Sequence, residues 1–384
     1  MTAPAEREYS AVAYDTVTGK VAADLSLAAE PEWAAQINDA GFWKITVPID
    51  GAERTRQVRE WCVPDKTSVA VLRGDQVCQA GPITPYEPSS DEAVFTVSGK
   101  GIWDILDRRA LHNAAWNPGA GQRLTDPAAD VTLTGTLWRI AREIVNHQIN
   151  MSYIPGSNLP IDLPDIDPAG TNTRTYHGYD IAPGGQRLRE LTQVDGGPDV
   201  LFQPYLTTVG GARYIRHRML IGTPWLTQPG VDLRFFYRRT LTNLAISGGI
   251  RSTATRAIVK GAGQEAGQLY GMASATDLIS SGWPLTDDIN TSHTDASVQS
   301  TLDAWATANL SLAAGQPQQW QATVLADADP QLGSYTPGHF VTYSVTDHIW
   351  LPDGNYRWRL IGTSRGGSTP RDRVDHQLQA VRAD

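Results

Sequence analysis

The chain has 384 residues, enough for two to four domains at roughly 100–200 residues each. Hydrophobic residues make up 41% and charged residues 19%, a globular composition that excludes a disordered chain. The net charge of −9 excludes a dedicated nucleic-acid binder, which needs a basic surface against phosphates.

The N-terminal segment Met1 to Glu8 lacks an apolar h-region, so no signal peptide is expected. No stretch approaches the roughly 20 apolar residues of a membrane span. The first hundred residues carry strand patterns. Tyr9 to Tyr14 alternates and meets the turn Asp15-Thr16-Val17-Thr18-Gly19-Lys20, which returns the chain into Val21 to Leu27. Further strands are expected at Gly41 to Pro48, Ser68 to Arg73, Gln76 to Ile83 and Ala93 to Gly99. Gly74-Asp75 is placed as a two-residue hairpin loop. Short strands at this spacing suggest a barrel or sandwich.

Helical material follows. Ile102 to Leu106 opens one helix. Thr136 to Val145 opens another, with Leu137, Ile140, Ala141 and Ile144 at helical spacing and Thr134 or Thr136 as N-cap. The Pro- and Asp-rich segment Pro155 to Pro168 predicts a loop, and Gly185 to Leu191 a short helix. A second β region runs from Asp199 to Leu206 and from Arg213 to Gly222. Ala257 to Gly263 predicts a strand and turn, and Val298 to Leu312 a helix. A last β set spans Gln319 to Leu325, Phe340 to Val345, Tyr356 to Gly362 and Asp375 to Val381.

The sequence nominates no catalytic residue, no cofactor site and no metal site. It holds no nucleophile elbow, no His-Glu-x-x-His, no phosphate loop and no paired-cysteine zinc spacing. Gly261-Ala262-Gly263-Gln264-Glu265-Ala266-Gly267 has the wrong spacing for a dinucleotide fingerprint. Asp162, Asp165 and Asp167 gather three carboxylates, but prolines and a missing turn glycine spoil a calcium loop, and a solvated loop is preferred. Cys62 and Cys78 are best explained as buried small hydrophobes, although a disulfide is not excluded by sequence alone. Most tryptophans, among them Trp43, Trp103, Trp138, Trp305 and Trp358, sit inside apolar patterns, where core packing is the default over sugar binding. Two arginine groups stand out: Arg213, Arg216 and Arg218, then Arg234, Arg238 and Arg239. In a strand Arg216 and Arg218 share a face, where they meet either solvent or carboxylates of a neighbouring subunit.

The order of several pieces resembles the hub proteins of long-tailed (siphovirus) bacteriophages, the minor tail proteins of the tail tip or baseplate. The pieces are Gly41-Phe42-Trp43-Lys44-Ile45-Thr46-Val47-Pro48, then Gly99-Lys100-Gly101 leading into a helix that ends at Arg108-Arg109. They continue with Gly197 to Pro204, and with Tyr335-Thr336-Pro337-Gly338-His339-Phe340-Val341 before Arg357 to Gly362. The resemblance covers most of the chain. It implies an α+β, mainly β fold with two tail-tube-like β-barrel domains and two smaller mixed or helical domains. The division expected is 1–105 for the first barrel, 106–197 for a helical connector, 198–250 with 320–384 for the second barrel, and 251–319 for an inserted small domain.

The implied function is structural, not enzymatic: a homotrimeric ring that caps the tail tube and nucleates its assembly. Two barrels in each of three chains offer pseudo-six-fold edges to a six-fold tube. The implied partners are the distal tail or tail-tube protein, other tail-tip proteins and the tape measure protein. No sequence-specific nucleic acid and no membrane span is expected. The protein is expected in the virion at the tail tip, made in the host cytoplasm. Asp384 follows soon after the last strand, so receptor binding and wall cleavage are expected of other proteins. Arg216, Arg218 and Arg238 are the interface candidates, because each lies in a strand-like run. The alternatives are a receptor- or carbohydrate-binding tail module that uses exposed tryptophans, and a cell-wall hydrolase, for which no carboxylate pair stands out.

Overall fold

The computed structural model describes residues 8–86, 93–154, 156–166, 170–248, 254–314 and 318–380. The expected signal-free segment 1–7, Asp167, the ends of the Pro155–Pro168 loop, the domain division at 250/251 and Val381 lie outside these residues.

The chain opens with β1 (Tyr9–Asp15), β2 (Val21–Leu25), β3 (Glu32–Gln36), β4 (Phe42–Pro48) and α1 (Ala52–Trp61). β5 (Thr67–Arg73), β6 (Gln76–Pro82), β7 (Val94–Lys100) and α2 (Trp103–Leu106) follow. The connector holds β8 (Val131–Gly135), α3 (Leu137–Ile149), β9 (Ile161–Asp162), β10 (Asn172–Tyr176) and α4 (Gly184–Thr192). Next come β11 (Val200–Val209), β12 (Ala212–Ile221), β13 (Leu233–Phe236) and β14 (Leu241–Gly248). β15 (Arg256–Lys260), β16 (Tyr270–Ser274), α5 (Thr276–Ser280), β17 (Asp287–Asn290) and α6 (Gln299–Ala314) make a small unit. β18 (Gln318–Leu325), β19 (Phe340–Val345), β20 (Gly354–Arg365) and β21 (Arg373–Ala380) complete the described chain. The fold is α+β and mainly β, as the sequence implies. Among the described residues no ladder closes on itself into a barrel.

The first sheet is antiparallel, in the order β2-β1-β5-β6. Its turns follow local chemistry. The Asp15 carboxylate accepts from the Thr18 N–H and hydroxyl, and Gly19 takes φ +77°, where a side chain would be strained. Arg73 pairs with Gln76, so Gly74-Asp75 is the two-residue loop expected. Every residue of β5 is buried. Val69 and Val71 face the main core with Ala11 and Ala13, while Ala70 and Leu72 join Val12 and Tyr14 against Ile215 of β12. A strand covered on both faces needs a continuous apolar run, and Val69-Ala70-Val71-Leu72 supplies one.

The large sheet runs β14-β18-β21-β20-β3-β4-β7, with β19 on β20 and β13 on β19. β20 joins its two halves. Along one edge its first half pairs with β19, from Val345↔Gly354 to Phe340↔Arg359. β3 then takes the second half, from Gly362↔Gln36 to Arg365↔Trp33. Strands from both β-rich regions therefore share one sheet. The first sheet meets it where Ile83 bridges Gly99. Close backbone approaches on two sides explain the Gly99-Lys100-Gly101 motif. A Cβ on Gly99 would lie 2.1 Å from the Pro82 carbonyl, and one on Gly101 would lie 2.1 Å from the Ala40 carbonyl.

The connector packs α2, α3 and α4 around Trp103, Leu106, Ile140, Ala141, Ile144 and Leu188. The Thr136 side chain caps α3 by accepting from the Arg139 N–H, as the sequence suggests. The small unit packs α6 on the sheet β16-β15-β17 through Val259, Leu302, Trp305 and Ala306. Both cysteines are buried and free.

Candidate assembly surfaces

The arginines nominated from sequence fall into three situations. Arg216 on β12 reaches Asp162 on the neighbouring strand β9, with Nε donating at 3.0 Å. Tyr205 donates to the same carboxylate. Burial works against the charged Asp162, but the bonds from Arg216 and Tyr205 outweigh it and hold the carboxyl below its usual range. Asp162 is therefore an ion-pair partner on a short strand, where the sequence reading placed a solvated loop. Arg213 pairs with Asp24 in the same manner. Arg218 is exposed and lies over the Tyr205 ring at 5.1 Å. Arg238 corrects the strand expectation. It sits in the turn between β13 and β14 with φ +59°, exposed, its guanidinium 5.4 Å from the Tyr237 ring. The apolar run around it is interrupted by backbone geometry that composition does not reveal.

β14 ends the large sheet and, among the described residues, pairs with β18 along its length and otherwise meets only Tyr237, through an isolated bridge at Leu241. Its sequence, Leu-Thr-Asn-Leu-Ala-Ile-Ser-Gly, holds neither a charge nor a proline. Proteins usually blunt exposed edges with such residues, because an open row of N–H and C=O groups templates pairing with another chain. A polar groove of about 670 Å³ runs beside it, lined by Asn243, Gln321, Thr323, Asp375 and Gln377 among others. Asp375 is already engaged there, accepting from the Thr323 and Thr369 hydroxyls at 2.7 Å each.

A second cleft, of about 730 Å³, lies where 36–39, the 189–199 segment, Trp225 and the Arg359 strand meet the small unit at Asn290 and Asn309. Its floor is an ion pair between Arg359 and Asp199, both almost fully buried. Asp199 also accepts from the Leu226 N–H at 2.8 Å. Among the described residues no group of three or more His, Cys, Asp or Glu side chains is placed to hold a metal ion. No helix there is long and apolar enough to cross a membrane.

Of the tryptophans expected in the core, Trp43, Trp103, Trp305 and Trp358 are buried and Trp138 is half-buried. Sequence reasoning missed the exposed ones: Trp225, Trp283 and Trp350, on three different loops. The signal for Trp350 lies in its setting. Ile349-Trp350-Leu351 stands between Asp347 and Pro352-Asp353-Gly354, an apolar triplet enclosed by turn residues with no strand alternation of its own.

The chain matches no protein-family model and no curated protein sequence. It does match solved structures over nearly its whole length. The 43 kDa tail protein of prophage MuSo2 from Shewanella oneidensis superposes with TM-score 0.56 at 12% identity, covering 97% of this chain and 98% of that one. The tail protein from Neisseria meningitidis MC58 superposes with TM-score 0.52 at 11% identity, covering 97% and 96%. The fold is that of phage tail proteins.

Proposed function

We propose that this chain is a structural component of a phage particle. It forms the hub of the tail tip, a ring of three copies that caps the tail tube, nucleates it and joins it to the proteins that contact the host. The observation that carries this reading is the likeness in fold, end to end, to two proteins described as tail proteins. The edge of β14 supports it: among the described residues no second strand lies on it beyond the bridge at Leu241, and an open sheet edge suits a subunit built to be flanked. The residue groups 1–105 and 198–250 with 320–384 act as two tube-facing β units, with 106–197 and 251–319 as smaller units around them. The partners are two further copies, the distal tail or tube protein, the tape measure protein and other tip proteins. The role is structural, without catalysis. Sedimentation equilibrium of the purified chain tests the ring: three times the 41.7 kDa chain mass is expected. A single-chain mass at every concentration overturns it.

A further inference from the structure

We propose that the tip of the β19–β20 hairpin of one copy seats on the outward face of the β16-β15-β17 sheet of the next copy. The proposal rests on the ring reading above and names the contact that would build the ring.

The tip lies between Val345 and Gly354. Ile349 is 99% exposed and Trp350 72% exposed. Their backbone is nevertheless held. Nδ1 of His348 accepts from the N–H groups of Trp350 and Leu351 at 3.1 Å each. The Asp353 carboxylate accepts from the Asp347 N–H at 2.9 Å, and the Tyr356 hydroxyl donates to the Pro352 carbonyl at 2.7 Å. Leu351 is anchored in the main core. A convex apolar pair presented on a pinned backbone loses little freedom when it docks.

The face carries an exposed apolar row. Strand register places Met272, Ile258 and Ile289 in one row across the three strands. Ala257 and Val259 are the buried residues of β15, so Ile258 lies on the opposite, outward side. Met272 is 52% and Ile289 65% exposed. Tyr270, two residues before Met272 on β16, adds a further exposed ring on the same side, and a contiguous exposed apolar patch marks an interaction site.

Charge and symmetry select the occupant. The tip carries Asp347 and Asp353. The outward face carries Lys260, which forms no ion pair among the described residues, and Arg256, which Asp287 neutralises. Tip and face are unlike patches of one chain. Contact between unlike patches is head-to-tail, the kind that closes into a ring when the rotation between copies closes and runs into a filament when it does not, whereas face-to-face stacking gives a two-fold dimer and leaves every tip bare.

The test uses two variants with one added cysteine each, Trp350→Cys and Met272→Cys, on differently tagged chains co-expressed and treated with a short bismaleimide. Both positions are exposed and both native cysteines are buried. The expected result is a cross-linked pair carrying both tags, absent from either variant alone and from the unsubstituted protein. Trp350→Asp should also weaken self-association by about tenfold or more, with circular dichroism unchanged. A ring-sized species without the mixed cross-link overturns this contact and leaves the hub reading standing. A cross-link in Met272→Cys alone overturns it in favour of face-to-face stacking. A chain that sediments singly at every concentration removes both. Retention of the unsubstituted protein but not of Trp350→Asp by a second tail protein or by lipid vesicles, with the ring intact in the variant, assigns the tip to that partner and overturns the contact.

Discussion

Arg359 of β20 is paired with Asp199, the residue before β11, and the Trp225 ring lies 5.3 Å from the same guanidinium. The pair ties the large sheet to the β11–β12 hairpin at the floor of the larger cleft. Burial pushes the Arg359 guanidinium down to about 10, still charged at neutral pH. Asp199→Ala leaves that charge buried and is expected to cost about 3–5 kcal/mol in urea unfolding. Replacing both partners by apolar residues, Asp199→Leu with Arg359→Met, should recover most of the loss. A cost under about 1 kcal/mol for the single change would show that the pair does not hold the junction.

The elements legible in the sequence are those fixed by local pattern. The β5–β6 hairpin was expected from Gly74-Asp75, and α3 from the 3.6 spacing of Leu137, Ile140, Ala141 and Ile144. β3 was not. Its Glu-Trp-Ala-Ala-Gln has one large inward residue, and its place is set by pairing with β20 more than three hundred residues away. α1 was missed because it buries only Trp61 and is laced by exposed ion pairs, Arg56 with Glu53 and Glu60, so apolar periodicity is the wrong signal. At the candidate surfaces, the shared face of Arg216 and Arg218 was readable, but the partner of Arg216 was not. Asp162 reaches it through a parallel bridge between distant segments.

The two fully buried histidines give a pH signature. His217 accepts or donates with the Tyr14 hydroxyl, and His376 stands between the Tyr343 and Tyr335 hydroxyls. Burial pushes both down to about 3 from 6.5. In the unfolded chain they take up protons below about pH 6.5, and in the folded protein only near pH 3. Their contribution is therefore present above pH 6.5 and is lost as pH falls between those values, on the order of 5 kcal/mol each when complete. Urea midpoints should drop steeply from pH 6.5 to pH 4, and less steeply in His217→Gln/His376→Gln. Equal slopes would mean that the histidines charge without unfolding.

The glycine motif makes a steric prediction. A Cβ at Gly99 would stand 2.1 Å from the Pro82 carbonyl and 2.3 Å from the Trp43 ring. Gly99→Ala should force β7 away from β6 and lower stability by about 3 kcal/mol. Thermal unfolding within a degree of the unsubstituted protein would show that the strands part without strain.

The interface arginines separate by their surroundings. Arg216→Glu sets a carboxylate against Asp162 at a half-exposed site, so a loss of about 1 kcal/mol in stability is expected. Arg238→Glu breaks no ion pair among the described residues and should leave stability unchanged. If both line the ring, each reduces the ring-sized species in sedimentation while circular dichroism stays native. Unchanged ring mass in both variants removes these arginines from the interface.

The most direct test of the central claim is to locate the chain in the particle. Phage particles carrying an affinity-tagged copy, labelled with gold and imaged by negative stain, should show label at one place only, the distal end of the tail. Label spread along the tail or on the head, or particles with complete tails that lack the chain, would contradict the assignment as tail-tip hub.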